Sequence, residues 1–453
     1  MAHHLAEAIP ARLLMWRRVR EYAVPESMIE RAAARSAVGD WAGACAAARI
    51  DVDLDPRTVR VRHGAESAAR LKADLRRLAP DLLRWHMPRI APDGRLRPGV
   101  TILLARYGSS AAPLDLVVRT PPAHADAGQR MSLTLREGPG DGAAAEHHPH
   151  PRPEPRFRLD LHRHLWDARR SSELARRCGT DEGPWAVTRW AAEAELLLRA
   201  EGRPRGAFTV RTGAHGRAAY ELVAPDDSHA PTFRPLREPP RSQDIAALPV
   251  LPEAAARVLP DLELLRAGLI TADRLHPLVA AALAPYDTAP VRTRGPGPGD
   301  PHRVECGGEV HRIALRDGVL TAVDHEPDQL RREELLVALG GPPLPCLRAI
   351  DAVHREPEAL PAVRDRLTHG DVSGALAVVE GLLGPLATLR DGPLREELES
   401  AAARRIDHGI FRAGLVPVHP AAAWRGPRPR HDKAWTLPGK RRIRTRPRAG
   451  MFC

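Results

Sequence analysis

Lysine is nearly missing from this 453-residue chain: Arg supplies 65 of the 68 basic residues, and Lys stands only at Lys72, Lys433 and Lys440. With Ala, Gly and Pro abundant, this bias is the imprint of GC-rich coding. An arginine cluster here is therefore weak evidence of a binding surface. Cysteine is scarce as well. Cys45, Cys178, Cys306, Cys346 and Cys453 are odd in number, widely spaced and without a CxxC pair, which argues against both a disulfide framework and a structural zinc site. No apolar run reaches about 18 residues, and the N-terminus lacks the apolar core of a signal peptide, so a cytoplasmic protein with no membrane span is expected. Met15, at the head of MWRRVREY, is an alternative start, and residues 1–14 are given no functional weight. Phosphate cradles are missing too: GPGPGD at 295–300 lacks the Lys-Ser/Thr of a P-loop, and no GxGxxG follows a strand.

What the chain does have is an uneven charge. Residues 425–453 hold ten basic side chains (Arg425, Arg428, Arg430, Lys433, Lys440, Arg441, Arg442, Arg444, Arg446 and Arg448) against Asp432 alone, so nine of the formal eleven positive charges sit there. The rest is nearly neutral and gives no ground for a nucleic-acid-binding body. Trp424 and Trp435 interleave with the basic residues, as in segments that hold single-stranded nucleic acid by charge and stacking.

Length points to roughly two to four domains, and 45 Pro favour turns and connectors. Pro-rich stretches at 138–156, 224–241 and 291–303 lack apolar periodicity and read as loops or linkers. The expected organisation is a helical segment at 1–56, an α+β domain at 57–223, a linker at 224–243, a mainly helical domain at 244–415 with a hairpin at 310–325, and a disordered basic tail at 416–453. Alternation in 114–118, 131–136 and 157–161, with a short apolar run at 100–105, predicts an antiparallel meander of four strands. A helix over 185–200 and a hairpin around GAHG at 213–216 complete that domain. Helices are expected at 361–369, 372–383 and 393–413, the last burying Leu398, Ala402, Ile406 and Ile410. Asp317-Gly318 suits a type I′ turn that sets Leu315 opposite Leu320, Ile313 opposite Ala322 and His311 opposite Asp324. GDWAGACA at 39–46 and GDVSGALA at 370–377 echo each other, and an αα-hairpin that stops on Gly and restarts on Asp explains both.

Two constellations could carry chemistry. If RFRLDLHRHLW (156–166) is a strand, Asp160, His162 and His164 share one face, a ligand set suited to a divalent metal; His124 and Asp126 are further candidates. The plainer alternative is a solvated outer face. Cys306, with His311 and Asp324 paired across the hairpin, matches the thiol, imidazole and carboxylate of a cysteine nucleophile. Its alternative is an exposed His–Asp pair beside a structural thiol. Cys45 falls near a helix N-terminus, which would lower its pKa. His147, His148 and His150 read as a solvated, metal-attracting loop. The expected role is a non-catalytic interaction or regulatory protein, with nucleic acid met through the tail and a protein partner through the helical domain. The second reading is a hydrolase built on either constellation. No cofactor is indicated beyond such a metal.

Overall fold

A computed structural model describes residues 9–108, 113–138, 148, 150–203, 205–213, 216–223, 230–236, 245, 247–284, 303–306 and 308–415. The protein is a mixed α+β fold. Its first body opens with helices α1 (Ala11–Tyr22), α2 (Glu26–Ala37) and α3 (Trp41–Ala47), strand β1 (Ile50–Asp53), and helices α4 (Pro56–Arg77) and α5 (Pro80–His86). Asp55 caps α4 by accepting from the Arg57 and Thr58 amides, and Pro56 takes the first helical position, where a missing N–H costs nothing. Strands β2 (Thr101–Arg106), β3 (Leu114–Arg119) and β4 (Met131–Glu137) then form the expected meander. The sheet order is β1-β4-β3-β2, with β1 parallel to β4 and the other pairs antiparallel. The fourth strand is thus β1, not 157–161.

That difference has a local cause. Residues 158–167 run through consecutive turns and a short 3-10 helix, closed by Leu161 N–H to Arg158 O, His162 N–H to Leu159 O and Leu165 N–H to His162 O. Arg158 makes only a single bridge to Leu103. Phe157, Leu159, His162, His164 and Leu165 are all buried, so both parities of the apparent alternation point inward.

After α6 (Leu174–Arg177) and α7 (Trp190–Ala200) come β5 (Gly206–Arg211), β6 (Arg217–Val223) and β7 (Thr232–Pro235), an antiparallel sheet around Trp190, Phe208, Tyr220 and Phe233. β7 lies inside the stretch expected to be linker. Helices α8 (Glu253–Ala256), α9 (Pro260–Arg266) and α10 (Pro277–Leu283) follow, and Leu262, Leu265 and Val279 of these helices, with Val258 between the first two, join the first core with Leu71, Trp85 and Ile102. Residues 253–283 therefore pack with the body preceding them.

A second core lies in the C-terminal module, made by β8 (Arg303–Cys306), β9 (Glu309–Arg316), β10 (Val319–Ala322) and helices α11 (Pro327–Ala338), α12 (Pro345–Arg355), α13 (Leu360–Thr368), α14 (Val372–Leu383) and α15 (Pro393–Arg412). The hairpin register is the expected one: Leu315 faces Leu320 and Ile313 faces Ala322, with positive φ at both Asp317 and Gly318. On α15 the expectation fails. Leu394 and Ala401 are its buried residues, while Ile406 is 65% exposed and Ile410 39%.

The two echoing segments have the same backbone. Gly39 and Gly370 both take φ +79°, and Asp40 and Asp371 each accept from the amide three residues on, at Gly43 and Gly374. Each carboxylate also meets the arginine five residues earlier, Arg35 and Arg366.

Candidate functional site

The first body encloses a cavity of about 490 Å³ between α1, the 86–97 segment, β2, the 156–165 turns, α6 and the stretch entering α9. Its size falls in the range of small-molecule sites. Met15, Trp16, Ile102, Phe157, Leu159 and Leu165 make most of its wall apolar. Among the polar side chains that stand against them are His86, Arg89, Arg97, His164, Arg177 and the carboxylate of Glu253.

The histidine protons follow from their partners. His86 Nδ1 lies 3.1 Å from Leu82 O and 3.2 Å from Leu165 O, and a carbonyl can only accept, so Nδ1 carries the proton. Burial lowers this imidazole to about 4, leaving it neutral, and its buried Nε2 is a lone-pair acceptor without a partner. His164 is the opposite tautomer. Its Nδ1 sits 3.3 Å from Arg177 Nη1, which can only donate, so the proton is on Nε2. Burial, then His162 and Arg177, push its pKa well below the usual imidazole range. The cavity wall thus carries one neutral acceptor and one neutral donor.

Beneath them is a buried ionic support. Arg177 donates through Nε (3.0 Å) and Nη2 (2.6 Å) to the two oxygens of Glu193. His162 Nε2 lies 3.2 Å from Glu193 Oε2, within ion-pair distance though off hydrogen-bond alignment, and its Nδ1–H donates to Arg158 O at 2.8 Å. Burial alone would raise the Glu193 pKa, but His162 and Arg177 hold it at about 2. On the α1 side, Arg20 forks onto Asp261 between the Trp16 and Trp85 rings, and Trp85 Nε1 donates to the same carboxylate.

Arg89 is different. It is buried, one Nη2–H donates to Arg84 O at 2.7 Å, and its Nε and Nη1 have no partner. Burial and then the charge of Arg20 bring it down to about 9. Arg84, fully buried, adds to the same positive region, while His369, with both ring nitrogens unpartnered, stays neutral because burial and then Arg89 and Arg84 lower it to about 3. Arg97 contributes a further buried, unpartnered Nε to the cavity. Among the described residues, no carboxylate lies within ion-pair distance of Arg84, Arg89 or Arg97.

The expected metal triad does not converge. Arg158 binds both oxygens of Asp160, at 2.9 and 2.8 Å, while His162 and His164 turn to Glu193 and Arg177 with ring centroids 5.8 Å apart. Asp126 pairs with Arg95, and His124 meets the Phe411 ring edge. Both histidines are buried, His164 in the cavity wall and His162 against Glu193, and neither is on a solvated face. Cys306 is buried, but its neighbours are His325 and Cys346; Asp324 accepts from the Arg312 amide, and His311 stacks on His325 with centroids 4.2 Å apart. Cys45 lies inside α3, where burial and then Asp40 push its thiol up to about 12, the reverse of activation. His148 is buried against Thr120 O at 2.9 Å, so it belongs to the fold and not to a solvated loop; His147 lies outside the described residues. So do Trp424, Trp435 and all ten basic residues from Arg425 to Arg448.

Sequence reasoning missed His86, Arg89 and Arg97. RWHMPR at 84–89 carries basic and aromatic groups before a turn, yet in an arginine-rich chain that pattern is common. Among the described residues no helix is long and apolar enough to cross a membrane. No protein-family model, curated protein or solved structure matches this chain.

Proposed function

We propose that this chain is a non-catalytic binding or regulatory protein whose central cavity takes an organic anion with an apolar body. The observation that carries this reading is Arg89: a guanidinium buried at an apolar cavity with two donor nitrogens unpartnered. Burying an unsatisfied donor costs about 1–3 kcal/mol, and more when the group is charged. A carboxylate or phosphate oxygen would satisfy it, while the aliphatic and aromatic wall would cover the rest of the ligand. His164 Nε2–H and His86 Nε2 supply a second donor and an acceptor for orientation.

The test is a thermal-unfolding screen of alkyl and aryl carboxylates and phosphates against their neutral alcohols. Anions should raise Tm and the alcohols should not, with the difference lost in Arg89→Met. Equal shifts from acids and alcohols, or none from either, would rule the reading out.

A second reading concerns residues 425–453, whose charge density supports non-specific contact with nucleic acid. It concerns a different segment and is compatible with the first.

A further inference from the structure

The C-terminal module holds a cluster that the cavity does not use. Cys306 ends β8, His325 lies in the turn after β10, and Cys346 sits in the first turn of α12. Their ligand atoms all fall within 4.8 Å of one another, and all three residues are buried. Both thiols are free, and His325 Nε2 is buried without a hydrogen-bond partner. We propose that Cys306, His325 and Cys346 bind one zinc-class divalent cation, as two thiolates and a neutral imidazole, with water in the fourth position.

Thiolate and imidazole are the donors that borderline cations prefer over hard oxygen ligands. With bonds of about 2.3 Å to sulfur and about 2.0 Å to nitrogen, a tetrahedral ion needs donor separations of about 3.5–4 Å, so a spread of 4.8 Å closes with small side-chain rotations. Charge balances as well: the ion displaces one proton from each thiol to solvent, and a dication with two thiolates is neutral, which suits a buried position. Finally, the ion gives the orphan nitrogen of His325 a partner, and His311, stacked on that ring, holds its plane. Binding releases the thiol protons to solvent. Binding should therefore strengthen as pH rises. The three ligands come from a strand, a turn and a helix, so the ion would tie together the elements around the small second core.

The experiment uses the untagged full chain, expressed with zinc, purified under reductant and dialysed against metal-free buffer. Wild-type protein should retain about one equivalent of zinc, and Cys306→Ser should lose it. Because Cys346 is fully buried and its replacement could unfold the module, cobalt(II) titration of the metal-free wild type provides the second measurement. One equivalent should produce a near-ultraviolet thiolate-to-cobalt band and strong visible bands of a tetrahedral site; His311→Ala should keep them and His325→Gln should weaken them. Reduced wild-type protein that gives no thiolate band with cobalt would overturn the proposal. So would a Cys306–Cys346 disulfide in protein alkylated at lysis, which would make the pair a redox element instead.

Discussion

Arg49 and Asp371 are paired across 322 positions of sequence: Arg49 Nη2 donates to Asp371 Oδ1 at 3.2 Å, while Nη1 donates to His369 O at 2.8 Å. The residue that follows the first Gly-Asp hairpin thus clamps the second, joining the two cores. Its geometry calls for a left-handed backbone at Arg49, φ +59°, a conformation non-glycine residues adopt only when the surroundings enforce it.

This pairing separates two otherwise matching caps. Asp40 is a partly exposed N-cap, so Asp40→Ala should cost about 1 kcal/mol. Asp371 is buried and serves Gly374, Arg366 and Arg49 together, so Asp371→Ala should cost about 2–4 kcal/mol. Urea unfolding of the two variants measures the difference; equal losses would mean that the cross-module clamp contributes nothing.

On α15, Ile406→Asp should leave stability within about 0.5 kcal/mol of wild type, because the side chain already faces solvent. Leu394→Asp, at a fully buried position, should lower it by several kcal/mol. Thermal melts of the pair decide whether the helix lies on the core by its N-terminal half.

Acid should weaken the fold through its buried histidines. His86 and His148 are lowered to about 4 and His369 to about 3, in each case first by burial. The unfolded chain takes up these protons below about pH 6.5 and the folded chain does not, so stability is full above that pH and declines as pH falls toward 3–4. Each histidine should remove on the order of 2 kcal/mol by pH 5. Glu193, held at about 2, works in a lower window: its contribution is present above about 4.5 and is lost toward pH 2. Unfolding free energies at pH 7 and 5 for wild type and His369→Asn measure this, the variant losing less.

Deleting residues 425–453 should abolish most non-specific affinity for DNA or RNA and flatten its dependence on salt, since released counterions scale with neutralised phosphates. Fluorescence anisotropy with a labelled oligonucleotide at two salt concentrations reads the effect. Undiminished binding by residues 1–424 would assign the affinity to the body.

Local signals in the sequence were legible where one physical rule dominated. The Asp317-Gly318 turn set the hairpin register, and the Gly-Asp junctions at 39–40 and 370–371 set two αα-hairpins, because each depends on a backbone conformation few residues take. Periodicity misled where burial was two-sided. Residues 157–165 alternate like a strand, but both sets of side chains are inside, and Ile406 keeps helical spacing on an exposed face. The cavity was beyond reach because Arg89, His164 and Arg177 meet only through the tertiary fold. Cys306 and Cys346, 40 positions apart without a CxxC, were likewise invisible as a pair.

Strand β1 is an edge of its sheet, and its outer carboxylates are closed off from the far end of the chain: Arg412 forks onto Asp53, with both contacts at 2.6 Å, and also approaches Asp51. During synthesis that edge is finished long before its cover exists. Two acidic residues on an open strand discourage a neighbouring nascent chain from adding a strand of its own, because Asp is a poor strand former and the charges repel a like copy. The same carboxylates later receive α15. Asp51 and Asp53 would then act in succession, first as a guard against mispairing on the ribosome and afterwards as the latch for the last helix.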